Sequence, residues 1–146
     1  YNRGMKGKEK AFVFDLDGTL FSTSAEILGS PSSPDYIEFG DAEKLLEESK
    51  PLPLIALAAQ VSKEGHKVYI LTARKNVIAK AIKTLLAKYD IEAEYVFCVG
   101  DKGFNVPTYK AEILTLLSEQ YKTYFWDDEE PNLILAEKTG VSAYKA

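Results

Sequence analysis

At 146 residues the chain has the length of one domain with a core of its own, and nothing in it calls for a second. Apolar residues make up 46% and charged residues 27%, an ordinary globular balance, and no apolar stretch approaches the roughly 18 residues of a membrane span. The net charge of −4 gives no global attraction to phosphate backbones, which disfavours a tight nucleic-acid binder but not an enzyme that meets such a substrate transiently. Cys98 is the only cysteine, which excludes an intramolecular disulfide and a cysteine-rich zinc site and fits a cytoplasmic location.

In chain order, residues 1–9 are polar and read as an N-terminal tail or tag remnant, with a single domain over 10–146. Ala11, Phe12, Val13 and Phe14 form an apolar run that ends in Asp15-Leu16-Asp17-Gly18-Thr19. Such a run closed by Asp and Gly predicts a buried strand that stops at a sharp turn. The competing reading is a hairpin at Asp17-Gly18. Against it, Leu20-Phe21 passes at once into Ser22, Thr23 and Ser24, with no partner strand's worth of alternation.

Residues 22–50 form an insert near the strand's end. Ser30-Pro31-Ser32-Ser33-Pro34 and Gly40 mark a loop, and residues 41–49 a short acidic helix, too little for a large cap. Residues 51–64 predict a helix that Gly65 stops, and residues 67–71 a second buried strand leading into Thr72-Ala73-Arg74. Asn76 is placed to cap a helix whose apolar positions Val77, Ile78, Ala81, Ile82, Leu85 and Leu86 repeat at helical spacing. Residues 94–99 read as a third strand, 108–120 as a helix and 123–126 as a fourth strand that runs into Asp127-Asp128. Pro131 opens a last helix that stops at Gly140, before a fifth strand at 141–144.

Strands alternating with helices predict an α/β fold: a three-layer, Rossmann-like, doubly wound parallel sheet of about five strands with right-handed crossovers. In such a sheet the C-terminal ends of the strands deliver their next residues to one rim. That rim collects Asp15 and Asp17, Thr72, and Asp127 and Asp128, with Lys110 early in the helix before the fourth strand. Cys98 lies within Tyr95-Val96-Phe97-Cys98-Val99 and reads as a small buried residue, and the lone His66 as a packing or solvent-facing one. Lys6, Lys8, Lys10, Lys75 and Lys80 read as solvated surface, the alternative being a local positive rim.

These residues together resemble the motifs of the haloacid dehalogenase (HAD) superfamily of aspartate-nucleophile phosphohydrolases. The matching positions are Asp15-Leu16-Asp17-Gly18-Thr19, Thr72 in Ile70-Leu71-Thr72-Ala73-Arg74, Lys110, and Asp127-Asp128, over about residues 10–145. The resemblance implies that Asp15 attacks phosphorus, that Asp17 protonates the leaving oxygen and later deprotonates water, and that Thr72 and Lys110 meet the phosphoryl charge. Lys102 competes for the lysine role; the resemblance favours Lys110, whose helix feeds the fourth strand. Leu16, Gly18, Ala73 and Arg74 are the implied substrate-binding positions, Arg74 either on a second phosphate or neighbouring nucleotide or in a surface ion pair. Magnesium is the implied cofactor, on Asp15, Asp17 through its carbonyl, and Asp127, with Asp128 a ligand or an orienting group. The alternative for residues 127–130 is an acidic helix N-terminus.

An open, capless site suits phosphates on polymers. The compact layout, with Thr108-Tyr109-Lys110-Ala111-Glu112-Ile113-Leu114 leading to Trp126-Asp127-Asp128, looks most like the phosphatase half of bacteriophage polynucleotide kinase-phosphatases. The expected partner is therefore a phosphorylated substrate, a nucleic-acid end or nucleotide, with no membrane. A protein or small-metabolite phosphatase of the same mechanism and a non-catalytic binding module are the alternatives.

Overall fold

Residues 9–23 and 41–146 are described by a computed structural model, and the fold follows from how their strands line up. Strands β1 (Lys10–Phe14), β4 (Lys67–Thr72), β5 (Tyr95–Cys98), β6 (Lys122–Asp127) and β7 (Ser142–Lys145) form one parallel sheet in the order β5-β4-β1-β6-β7. A separate pair, β2 (Phe21–Ser22) and β3 (Lys50–Pro51), runs antiparallel. The helices are α1 (Ala42–Glu48), α2 (Leu54–Lys63), α3 (Ala79–Ala87), α4 (Val106–Gln120) and α5 (Glu130–Glu137), with short 3-10 turns at Asn76–Ile78 and Val99–Lys102.

Period-two alternation along the strands divides the core between the two faces. Phe14, Val68, Ile70 and Val96 pack with Leu45 of α1, Ala58 and Val61 of α2, and Ile82, Leu85 and Leu86 of α3. Ala11, Val13, Tyr69, Leu71 and Phe125 pack on the opposite side with Leu114 and Leu117 of α4 and Leu133 and Ala136 of α5. Helices before and after β4 thus cover one face, and those flanking β6 cover the other. The loops leaving β1 and β6, which are neighbours, therefore turn to opposite faces and open a crevice at their carboxyl ends, the place where doubly wound sheets bind ligands. On the Phe14 side, Trp126 stacks on Phe14 with ring centroids 4.9 Å apart and on Tyr144 at 5.2 Å.

The sequence-level elements recur with shifted boundaries. The helix read as 108–120 starts at Val106, with Pro107 in its first turn, a place where its missing N–H is harmless. The last strand begins at Ser142 rather than at residue 141. The short acidic helix is α1, where the Asp41 carboxylate accepts the Lys44 N–H at 3.0 Å. Asn76 does not cap α3 through its side chain. It opens a 3-10 turn, and its own N–H donates to the Asp101 carboxylate at 2.6 Å, so the acceptor comes from another loop.

The stretch after Gly18 does find a strand partner, Lys50–Pro51, but not the hairpin with β1 that Asp17-Gly18 offered as an alternative. A tight loop explains this: the Leu16 carbonyl accepts from the N–H groups of Thr19, Leu20 and Phe21, and Gly18 donates to the Phe21 carbonyl at 2.8 Å. Gly18 takes φ +79°, a left-handed conformation that favours glycine.

Lys10, Lys75 and Lys80 are exposed, and Lys10 starts β1, about four residues or some 13 Å from the end that carries Asp15. Lys6, Lys8 and the loop at residues 30–34 and Gly40 lie outside the described residues. His66 is half-buried, its ring 5.3 Å from that of Phe12. Cys98 is also half-buried, and burial pushes its thiol up to about 12. Among the described residues no helix is long and apolar enough to cross a membrane. Ile70 is fully buried in the central part of the sheet. Ile70→Ala is expected to lower the free energy of urea unfolding by about 2–5 kcal/mol, read from the midpoint at unchanged m.

Candidate active site

Register places the chemistry. Phe14 pairs with Ile70 on one side and Trp126 on the other, so the residues that follow, Asp15, Thr72 and Asp127, emerge at one rim of the sheet. Asp15 extends the pairing by one, its N–H donating to the Trp126 carbonyl at 2.9 Å. Each carboxylate is thus fixed by its own strand rather than by a loop, which limits its positional freedom.

A lysine from the far face joins them. Lys110 shares the buried stripe of α4 with Leu114 and Leu117, four and seven residues on, so helical periodicity turns it inward although it is charged. The residue is 1% exposed, and its ammonium donates to Asp15 Oδ1 at 2.9 Å and to Asp127 Oδ2 at 2.8 Å. Lys102, the competing candidate, is exposed and 3.6 Å from Glu112 at the surface.

Other donors reach the same two carboxylates. Thr19 Oγ1 donates to Asp15 Oδ2 at 3.0 Å, Asn132 Nδ2 to Asp127 Oδ2 at 3.0 Å, and the Glu129 N–H to Asp127 Oδ1 at 2.9 Å. Neither Thr19 nor Asn132 stands out as a site residue in the sequence. Thr19 had a signal in its place within the Asp15–Thr19 motif; Asn132 had only its place on the inward face of α5, beside Leu133 and Ala136.

Asp17 is held apart from this cluster. Arg74 Nη2 donates to its Oδ1 at 2.7 Å and Arg74 Nε to its Oδ2 at 3.0 Å, a fork-on-carboxylate geometry, and Thr23 Oγ1 donates to Oδ1 at 2.6 Å. The surface ion pair considered for Arg74 is corrected on one point: the pair exists, but Arg74 is 2% exposed and its partner is Asp17. Thr72 is fully buried at the end of β4, where its Oγ1 accepts the Arg74 N–H at 3.1 Å. The Leu16 side chain belongs to the core and its carbonyl to the Gly18 loop, leaving its N–H as the group it could offer a ligand. Ala73 is half-buried beside Arg74.

Asp128 completes the rim. Its carboxylate occupies the space a Cβ on Gly18 would take, which is a second reason for glycine there besides φ. Carboxylate oxygens of Asp15, Asp127 and Asp128 all lie within 4.8 Å of one another. Burial, and after it the nearby Asp127, raises the Asp15 carboxyl well above its ordinary value, although Lys110 pulls it back. Burial also raises Asp128. For Lys110, burial alone would pull the ammonium down, but Asp15 and Asp127 outweigh it and hold it above its ordinary value.

With Asp15, Asp127 and Asp128 all ionised, three carboxylates at one rim against the Lys110 ammonium bonded to two of them leave two negative charges uncompensated. A divalent cation with a taste for hard oxygen donors matches both the charge and the chemistry, and magnesium needs only one or two carboxylates besides water and phosphate. The acidic-helix-start alternative for residues 127–130 does not account for Asp127, which is fully buried and bonded to Lys110 and Asn132.

No protein-family model matches the chain, and no curated protein sequence does. Solved structures do match in fold. A chain of the Pnkp1/Rnl/Hen1 complex superposes with a TM-score of 0.68 at 19% identity, over 96% of this chain and 46% of that one. This chain therefore spans about half the length of that relative. The HAD family enzyme BT-2542 from Bacteroides thetaiotaomicron, in complex with magnesium and inorganic phosphate, matches with a TM-score of 0.59 at 14% identity, over 94% of this chain and 93% of that one. The haloacid dehalogenase-like hydrolase SP0104 from Streptococcus pneumoniae matches with a TM-score of 0.61 at 17% identity, over 92% and 83%. The fold is HAD-like, as the motifs led one to expect.

Removing the ammonium leaves two buried carboxylates facing each other. In EDTA, Lys110→Ala is expected to cost about 3–5 kcal/mol of stability by denaturant unfolding, and added magnesium to recover part of the loss.

Proposed function

We propose that the protein is a magnesium-dependent phosphomonoesterase working through an aspartyl-phosphate intermediate, with nucleic-acid ends or nucleotides as substrates. The observation that carries this reading is the placement of Asp15: a carboxylate on a strand end, bonded to Lys110 and within metal-sharing distance of Asp127 and Asp128, with a second, separately held carboxylate two residues on.

In this reading an Asp15 oxygen forms a bond to phosphorus as the bond to the leaving oxygen breaks, and Asp17 gives that oxygen its proton. Asp17 then takes a proton from water as the water oxygen bonds to phosphorus and the Asp15–phosphorus bond breaks, releasing inorganic phosphate. Thr19 holds one oxygen of Asp15 and Lys110 the other, so the nucleophile is oriented before substrate arrives. The N–H groups of Leu16 and Asp17 and the Thr72 hydroxyl are the donors for the phosphoryl oxygens. Asp15, Asp127 and Asp128, with the Asp17 carbonyl, would hold the magnesium ion, which when bound supplies neutralisation of phosphoryl charge.

The substrate class is supported by the resemblance in sequence to nucleic-acid-repair phosphatases and by the likeness in fold to a chain of the Pnkp1/Rnl/Hen1 complex. Between the first two motifs the described residues add only β2, α1, β3 and α2, and between the second and third only α3, β5 and short turns.

The test is phosphate release from an aryl phosphate, a nucleoside monophosphate, a 3′-phosphorylated oligonucleotide, a phosphopeptide and a sugar phosphate. The expected result is magnesium-dependent turnover, abolished by EDTA and lowered about 10⁴-fold or more in Asp15→Asn, with the oligonucleotide or nucleotide preferred. Turnover that survives Asp15→Asn would refute the mechanism, and preference for a phosphopeptide or sugar phosphate would refute the substrate class.

A further inference from the structure

The turn after β5 supplies no group to the carboxylates, yet it is fitted closely to the loop that carries Arg74. The Gly100 N–H donates to the Arg74 carbonyl at 3.1 Å. A Cβ on Gly100 would overlap the Ala73 carbonyl oxygen and stand 3.0 Å from the carbonyl carbon and oxygen of Arg74. Gly100 is not among the positive-φ glycines, so the demand for glycine here comes from close backbone approach and not from φ. One residue on, the Asp101 carboxylate accepts the Asn76 N–H at 2.6 Å, two residues past Arg74. On its inner side the same loop is held by Thr72 Oγ1, which accepts the Arg74 N–H at 3.1 Å.

The loop from Thr72 to Asn76 is therefore pinned from both sides, and its central residue carries the guanidinium that grips Asp17 through two parallel hydrogen bonds. A planar fork transmits its orientation: if the Arg74 backbone shifts, the Asp17 carboxylate must turn with it or lose a bond. We propose that Gly100 and Asp101 are positioning residues for Asp17, setting through Arg74 the direction in which it delivers its proton. The inference rests on the acid–base role given to Asp17 above and adds a part of the molecule, the β5 turn, which is hydrogen-bonded to the Arg74 loop.

Proton delivery has its own kinetic signature. A nitrophenolate leaves readily without a proton, whereas an alkoxide such as a ribose or glycerol oxygen needs one, so losing aim at Asp17 penalises alkyl phosphates selectively. The experiment compares kcat/KM for p-nitrophenyl phosphate and for glycerol 2-phosphate in wild type, Asp17→Asn, Gly100→Ala, Asp101→Ala and Asp101→Asn, with thermal melting of each. The expected result is that Gly100→Ala and Asp101→Ala lower kcat/KM for the glycerol ester about 10- to 100-fold more than for the nitrophenyl ester. That is the direction of Asp17→Asn in smaller measure. Asp101→Asn, which keeps an acceptor oxygen for the Asn76 N–H, is expected to restore most of the Asp101→Ala loss. Asp101 is exposed, so its variants test the proposal even where Gly100→Ala does not fold.

Equal losses on both esters, or none, in the Gly100 and Asp101 variants beside a selective loss in Asp17→Asn would overturn this inference alone. A wild-type enzyme lacking turnover that depends on Asp15, or an Asp17→Asn loss that ignores the leaving group, would overturn it together with the reading beneath it.

Discussion

Lys110 is hydrogen-bonded to both Asp15 and Asp127, and it is buried almost completely with them. An ammonium and two carboxylates are costly to remove from water, and the arrangement is tolerable only because each finds charged or polar partners in good geometry. That requirement ties three elements together at one point: β1 and β6, which are neighbours in the sheet, and α4, which crosses from the opposite side. The base of the crevice between β1 and β6 is thus an ion cluster, with Asp128 and the Gly18 loop beside it. With Asp128 beside it and all three carboxylates ionised, the site is two positive charges short. A site that holds itself together while staying net negative is matched to a divalent cation and to the phosphate such a cation attracts.

Two carboxylates two residues apart end in different surroundings. Asp15 sits with Lys110 and Thr19 on the cluster side, and Asp17 with Arg74 and Thr23 on the side of the β4 loop. The tight loop that folds back on the Leu16 carbonyl separates them, and Gly18, with Asp128 filling the place of a side chain, lets it do so. The difference in surroundings between the two aspartates is therefore a property of backbone geometry before any substrate is considered.

Much of this was legible in the sequence because it is local. Apolar runs of four to six residues that end in polar groups mark where β1, β4 and β6 stop, and those stops bring Asp15, Thr72 and Asp127 to one rim. Lys110 was singled out by the resemblance, through its place in a helix that feeds β6. What was not readable depends on pairs far apart in the chain. Arg74 and Asp17 are 57 residues apart, and nothing in either neighbourhood says that the guanidinium turns to a carboxylate rather than to solvent. Asp101 replaces Asn76 as the source of a cap acceptor across 25 residues. The β2–β3 pair is two residues long, too short for any periodicity to announce it.

Trp126 is the chain's one tryptophan, and its position joins the sheet core to the carboxylates. Its ring lies nearly parallel to Phe14, at 13°, its carbonyl accepts the Asp15 N–H, and its next neighbour in the chain is Asp127. A change in charge at the cluster is expected to reach an indole already in place, without any attached dye. The protein carries its own optical probe at the strand ends, and the filling of its acidic rim by a cation or an oxyanion is open to observation through the emission of a single residue.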